Sequence, residues 1–381
     1  MTHAGGRAAY AGRADLICGD SRDVLRGVES CSIDGCVTDP PYALVSIVKR
    51  FGGEGTATAK IGASGVYSRA SAGFMGQTWD TGETAFDPAF WAEVLRVLKP
   101  GAHLAAFGGT RTVHRLACAI EDAGFIIRDQ LAWVYGTGFP KSHNQRGEWD
   151  GWGTALKPAF EPIVLAQKPL DGTVAQNLRR WGVGALNIDA CRVEGGHAGV
   201  SREGEASAQR RYSKSGSTTY TLAPGPRGGD ARGRWPANLM HDGSAEVASA
   251  FPTAPGQQGA VTGDEPSALT NNVYRAFGGR PPSSPRGDTG SAARFFYCAK
   301  ATAAERRGSR HPTVKPVNLK RWVCRLIAPP GAMILDPFAG SGTTGEAALL
   351  EGQRSMLIER EPQFCADIER RLSDASKGMA A

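Results

Sequence analysis

Two stretches of the chain alternate short apolar runs with helical spacing, and the long stretch between them does neither. That interruption limits the possible folds more than any other feature. In the first stretch Ala14-Asp15-Leu16-Ile17-Cys18 reads as a buried strand that ends at Gly19-Asp20. Residues 21–25 open a helix, and residues 33–38 form a second strand that ends at Asp39. Residues 51–73 are rich in Gly, Ala and Ser, with weak periodicity, and read as a loop. Residues 86–98 have helical spacing, with Pro88 suited to the first turn and Pro100-Gly101 as the stop. A strand over 103–107, a helix over 111–123 and strands over 125–134 and 163–166 complete this block.

The composition shifts after Pro169. Residues 195–234 carry Arg202, Arg210, Arg211, Lys214, Arg227, Arg232 and Arg234 among Gly, Ser and Pro, and residues 252–293 are again rich in Gly, Pro and Ser. Such a stretch is expected to be loop-dominated. Regular character returns near Arg294, with helices over 318–327, 344–350 and 364–372 and strands over 333–335 and 356–358, then a disordered tail over 373–381. Strands alternating with helices on both sides of one insertion predict an α/β fold with a doubly wound parallel sheet. The halves are residues 14–170 and 294–372, and the insertion is 171–293.

The net charge of +7, from 44 Lys and Arg against 37 Asp and Glu, favours a polyanionic partner such as nucleic acid. No apolar run reaches the ~18 residues needed to span a bilayer, and the N-terminus lacks the apolar segment of a secretory signal. The reading is a cytoplasmic protein with no membrane partner. None of the eight cysteines forms a C-x-x-C pair, so neither a zinc site nor a disulfide framework is expected, and most should be buried small hydrophobes. The seven histidines show no metal-ligand spacing, and no metal site is assigned.

Asp39-Pro40-Pro41-Tyr42 follows a predicted strand, where ligands sit in open α/β sheets. An exocyclic amine on a nucleobase is conjugated with the ring and is a weak nucleophile. A carboxylate and a backbone carbonyl that accept its hydrogens push its lone pair towards a methyl donor. Asp39 supplies the carboxylate and Pro40 the carbonyl, the consecutive prolines stiffen the loop, and Tyr42 offers a ring on which an extruded base can stack. The alternative is a Pro-Pro turn after a strand.

Asp336-Pro337-Phe338-Ala339-Gly340-Ser341-Gly342-Thr343-Thr344 joins a strand to a helix. Its glycines allow close backbone approach, and a helix N-terminus favours a negative group such as the methionyl carboxylate of a cofactor. A tight turn is the alternative. Glu359 ends the next strand and is placed either to bind ribose hydroxyls or as a solvated strand end. Asp20 is placed either to accept from the cofactor's adenine or as a turn residue after Gly19. Thr313 and Lys315 lie in His311-Pro312-Thr313-Val314-Lys315-Pro316, ahead of a helix. Lys315 is a candidate to neutralise the cofactor carboxylate, or else a surface lysine.

Together these residues resemble the amino-DNA methyltransferases of the permuted β group, which carry D-P-P-Y near the N-terminus and the F-x-G-x-G loop near the C-terminus. Phe338, Gly340 and Gly342 match that loop, and His311 to Pro316 and Arg96-Val97-Leu98-Lys99-Pro100-Gly101 also look like the family's. The likeness covers roughly residues 14–170 and 294–372. It implies a seven-stranded, mostly parallel, circularly permuted Rossmann-like methyltransferase sheet and S-adenosylmethionine as cofactor. The implied partners are double-stranded DNA and, for a restriction-associated enzyme, a cognate restriction enzyme, with a monomer or a homodimer as the assembly. Residues 151–169, 181–192 and 234–238 look like a branch found in bacteria and phages. The family places target recognition between the two blocks, which makes Arg210, Arg211, Lys214 and Arg234 candidate DNA contacts.

Asp at the first motif position is the commoner choice among adenine N6 enzymes, whereas cytosine N4 enzymes more often carry Ser. Adenine is therefore the expected target, with cytosine N4 as the alternative. Relatives that act on protein glutamine or RNA usually carry Asn at that position and keep the motifs unpermuted. A catalytically silent DNA-binding module is the reading from another class.

Overall fold

A computed structural model describes residues 7–10, 12–42, 84–140, 142–195, 232–254, 290–299 and 314–380. The loop expected over 51–73 therefore lies outside the described residues. The strands are β1 (Arg7–Tyr10), β2 (Ala14–Cys18), β3 (Ile33–Thr38), β4 (Leu98–Phe107), β5 (Ile126–Val134), β6 (Phe160–Gln167), β7 (Leu239–His241), β8 (Tyr297–Cys298), β9 (Met333–Asp336) and β10 (Arg354–Glu359). They join one sheet in the order β1-β2-β10-β9-β3-β4-β6-β5-β7-β8. The central seven, from β2 to β5 in that order, are the expected mostly parallel sheet, and β1, β7 and β8 extend it at the edges. Of the central seven, β6 alone runs against its neighbours.

Register places the chemistry on one edge. Thr38 pairs with Ala106, Leu357 with Asp336, Glu359 with Cys18 and Phe107 with Ile163. The C-terminal ends of β2, β10, β9, β3, β4 and β5, and the start of β6, therefore share one end of the sheet. β3 is buried along its whole length, as a central parallel strand is when both its faces are covered.

The helices are α1 (Ser21–Arg26), α2 (Pro88–Val97), α3 (Val113–Asp122), α4 (Val174–Trp181), α5 (Ala245–Ala250), α6 (Val317–Ile327), α7 (Thr343–Leu350) and α8 (Pro362–Ala380). Pro88 occupies the first turn of α2, as the sequence predicts, and Asp87 caps it through the Ala89 N–H. Trp91, Val94 and Val97 of α2 and Leu116 and Ile120 of α3 pack with Leu104 and Ala106 of β4. Leu16 of β2, Leu357 of β10, Leu349 of α7 and Ile368 and Leu372 of α8 form a second cluster.

Three expectations change here. The disordered tail is instead the end of α8, because Ala375 continues the buried stripe of Ile368 and Leu372 and Ser376 bonds back to the Leu372 carbonyl. One long-range bridge, Cys18 to Cys365, exists where no disulfide was expected; it joins residues far apart in sequence that α8 brings against β2. The boundary of the insertion also moves. The chain divides into a unit of Met1–Ala190, Asn238–Ser244 and Cys298–Ala381 and a second of Cys191–Ala237 and Ala245–Tyr297. Residues 171–190 belong to the first because α4, closed by a capping box at Thr173 and Gln176, presents the buried Asn177 amide to the Pro100 and Val183 carbonyls.

Beyond β5 and β6 the chain continues as an irregular hairpin, with Tyr135 N–H on the Ala159 carbonyl and Gln145 N–H on the Trp152 carbonyl. It leaves Phe139, Trp149, Trp152 and Leu156 exposed.

Among the described residues one ion pair is wholly enclosed: Arg371 of α8 meets Glu346 of α7 at 2.7 Å, with both side chains 2% exposed. Removing one partner of such a pair takes away the opposite charge that faces the other in a dry site. Arg371→Met should cost about 3–5 kcal/mol in urea unfolding, and adding Glu346→Leu should restore most of that loss.

Candidate active site

Asp39 leaves the end of β3 beside β4 on one side and β9 on the other. Its Oδ2 lies 2.9 Å from the Lys315 ammonium. Its Oδ1 is buried and, among the described residues, has no hydrogen-bond partner. Burial pushes this carboxyl up, but the Lys315 ammonium and then that of Lys320 outweigh it, so the group is held below its ordinary value. Tyr42 is fixed from two sides: Thr112 donates to its carbonyl at 2.9 Å, and its hydroxyl donates to Glu161 at 3.3 Å.

Lys315 is neither a surface lysine nor directed at the Gly-rich loop. Its ammonium meets Asp39, Glu161 at 3.0 Å and the Tyr42 hydroxyl at 3.0 Å, with its side chain 7% exposed. Burial would lower its pKa, but the two carboxylates more than reverse this and raise it. The expectation that it neutralises a cofactor carboxylate is thus redirected, because its donors are already engaged at Asp39, Glu161 and Tyr42. Thr313 lies outside the described residues.

The loop after β9 is clasped from inside. Asp336, 2% exposed, accepts from Thr38 at 2.7 Å, from Thr344 at 2.5 Å and from the Phe338 N–H at 3.1 Å. Burial raises its pKa against the pull of Lys320 and the two hydroxyls. Phe338 packs on Phe90 with ring centroids 5.1 Å apart, Ala339 is buried, and Ser341 and Thr343 bond to each other. Asp336, Thr343 and Thr344 therefore shape the loop, and its turns run through Gly340 and Gly342. Both glycines have positive φ, and a Cβ on Gly342 would press on Ile368 at 3.0 Å.

Glu359, at the end of β10, receives the Gly340 N–H on one oxygen and the Glu361 N–H on the other, each at 2.8 Å. Burial dominates these two donors and pushes its pKa up to about 7. It is not a solvated strand end. Asp20 caps α1 through the Arg22 N–H and pairs with the Arg22 guanidinium at 2.7 Å. Its carboxylate is mostly engaged locally, which is the turn-residue reading.

Sequence reasoning missed Glu161, Phe107 and Lys320. Glu161 is the second residue of β6, two positions ahead of the predicted strand. Lys320 of α6 is 2% exposed with its ammonium 4.4 Å from the centre of the Phe107 ring and, among the described residues, no hydrogen-bond acceptor. A lysine at a core-facing helical position was the available signal. Of the candidate DNA contacts, Arg210, Arg211 and Lys214 lie outside the described residues. Arg234, in the second unit, donates to the Glu194 carbonyl at 2.8 Å and lies over Phe295. Among the described residues no cluster of His, Cys, Asp and Glu is arranged to hold a metal, and no helix is long and apolar enough to cross a membrane.

A family model described as DNA methylase, of the N6/N4 class, matches residues 33–370. The chain belongs to the N6/N4 DNA methylase family. The type II methyltransferase M.HindIII of Haemophilus influenzae is 36% identical over 110 residues, which cover 25% of this chain and 36% of that protein. The DNA adenine methyltransferase YhdJ of Escherichia coli is 41% identical over 66 residues, covering 17% and 22%. The aligned segments thus span about a third or less of these relatives. Among solved structures, an M1.HpyAVI complex with S-adenosylmethionine aligns with a TM-score of 0.43 at 13% identity, covering 94% of this chain and 98% of that one. The cytosine-N4-specific PvuII methyltransferase aligns with a TM-score of 0.44 at 14% identity, covering 98% and 94%.

A carboxyl raised by burial favours the folded state while it stays protonated. The contribution of Glu359 is complete below the ordinary carboxylate range and is lost as pH rises through about 7. Urea unfolding between pH 5 and pH 8 should show wild type losing more stability with rising pH than Glu359→Gln does.

Proposed function

We propose that this chain transfers a methyl group to the exocyclic N6 amine of adenine in double-stranded DNA, with S-adenosylmethionine as donor and the base turned out of the duplex. The observation that carries this reading is Asp39: one carboxylate oxygen is fixed by Lys315, and the other is buried without a partner. A buried acceptor with nothing to accept from is costly unless a ligand supplies the donor.

The chemistry of the neighbouring groups fits the cofactor. Glu359 has one engaged position on each oxygen and keeps a second on each for ribose hydroxyls. Gly340 and Gly342 give the loop the left-handed turns it needs, and the start of α7 suits a negative group now that Lys315 is engaged elsewhere. Bound there, S-adenosylmethionine supplies an electrophilic methyl group on a sulfonium sulfur.

The chain's own residues prepare the nucleophile. Asp39 Oδ1 accepts one amine hydrogen and the Pro40 carbonyl the other, which concentrates the lone pair on nitrogen. The new N–C bond would form as the donor's methyl–sulfur bond breaks to leave a neutral thioether, and the hydrogen held by Asp39 would pass to that carboxylate as a proton. Pro41 stiffens the turn, and Tyr42, anchored by Thr112, presents its ring to the extruded base. The basic excess supports DNA as the partner, and the second unit, with the arginine-rich stretch, is the reading for target recognition. Asp rather than Ser at position 39 supports adenine over cytosine.

Incubation with labelled S-adenosylmethionine and duplex DNA, digestion to nucleosides and chromatography should place the label in N6-methyladenine. Label in N4-methylcytosine alone would overturn the base assignment, and label in RNA or protein alone the whole reading. Asp39→Ala should lower turnover by ~10²-fold or more while calorimetry finds cofactor affinity nearly unchanged.

A further inference from the structure

Glu161 belongs to no motif, yet it stands where β6 enters the sheet at the edge that holds Asp39. An ammonium has three N–H donors, and that of Lys315 meets three acceptors: Asp39 Oδ2 at 2.9 Å, Glu161 Oε2 at 3.0 Å and the Tyr42 hydroxyl at 3.0 Å. The rings of Tyr42 and Phe107 lie 5.2 and 5.5 Å from it. With every donor engaged, the cation holds Asp39 Oδ2 in one place and leaves Oδ1 as the oxygen for another donor.

The charge count matters as much as the geometry. Facing Asp39 alone, a buried ammonium forms a neutral pair and draws the carboxylate's electron density towards itself, which makes it a poor acceptor for an amine. Two carboxylates sharing one ammonium keep a net negative charge, and Lys320, the other ammonium within reach, also faces the carboxyl of Asp336. Around Asp39 the described charged and titratable groups are Lys315 and Glu161, Lys320 of α6, Asp336 of β9 and the neutral phenol of Tyr42.

We infer that Glu161 is a positioning residue: by sharing Lys315 with Asp39, it lets the cation fix the catalytic carboxylate without quenching it as an acceptor for the target amine. This rests on the methyl-transfer reading above.

The test uses the full chain with duplex DNA and S-adenosylmethionine. Glu161→Gln should lower kcat ~10- to 100-fold with cofactor Kd and DNA KM within about threefold, and Glu161→Asp, which keeps the charge, should recover part of the loss. Lys315→Met leaves Asp39 and Glu161 as facing carboxylates, and like charges at close range raise a pKa, so the acid limb of turnover should appear in the range ~5–8. Adding Glu161→Gln to Lys315→Met should move that limb back down by about one pH unit or more. A side chain that only packs would change thermal stability but not the limb. Carboxyl ¹³C titration of Asp39 in the same variants reads these shifts without turnover. An unchanged Asp39 titration when Glu161→Gln is added, or wild-type kcat in Glu161→Gln, overturns the inference. A wild-type chain that transfers no methyl to DNA, but whose Asp39 titrates as described, instead sinks the functional reading and leaves the electrostatic coupling standing.

Discussion

Lys315 puts a positive charge where little water reaches it, and the arrangement of the active edge follows from how that charge is satisfied. A buried ammonium without partners is strongly disfavoured. Here three acceptors from two distant parts of the chain converge on it: Asp39 and Tyr42 of the turn after β3, and Glu161 at the start of β6. Without the cation, two carboxylates would face each other in a dry site. Without the carboxylates, the lysine would tend to lose its proton. Each group holds the others in the charged form, and a loop of two prolines and a tyrosine becomes a fixed surface.

A second clasp stands next to the first. Asp336 ties Thr38, the residue before Asp39, to Thr344 at the start of α7, so the Asp39 turn and the Gly-rich loop share one buried carboxylate. Glu359 closes the other side of that loop through the Gly340 N–H. Lys320 adds a second enclosed ammonium whose field reaches both Asp39 and Asp336. The methyl-accepting and methyl-donating sides of the proposed reaction are therefore bound to one another through β3 and β9, which are neighbours in the sheet.

Much of this was legible. The strands that end at Asp39, Asp336 and Glu359 follow from apolar runs bounded by turn residues, and the positive φ of Gly340 and Gly342 is what glycine at those positions permits. The α2 cap and its Pro88 follow from local backbone chemistry. Roles that depend on which polar group lies opposite which were not legible. Asp20 reads equally well as a ligand or a cap until Arg22 is seen to engage it. Lys315 reads as a cofactor or surface residue until Asp39 and Glu161 are seen to face it. Residues 171–190 look like insertion by composition, yet the Asn177 amide ties them to the methylase sheet, and Cys18 pairs with Cys365 only because α8 packs on β2.

The sequence by itself determined the family, the doubly wound α/β architecture and the places where chemistry-bearing residues leave the sheet, because those depend on local periodicity, turn chemistry and short motifs. Only the tertiary structure decided how the charges are distributed among those residues. Asp39, Glu161 and Lys315 are separated by more than a hundred residues each; the register of β3, β4 and β6 sets Asp39 and Glu161 at one end of the sheet, and the packing of α6 on β3 and β4 brings Lys315 within hydrogen-bond distance of both. Ionisation and acceptor strength depend on burial and on neighbours a few ångströms away, and neither is written along the chain.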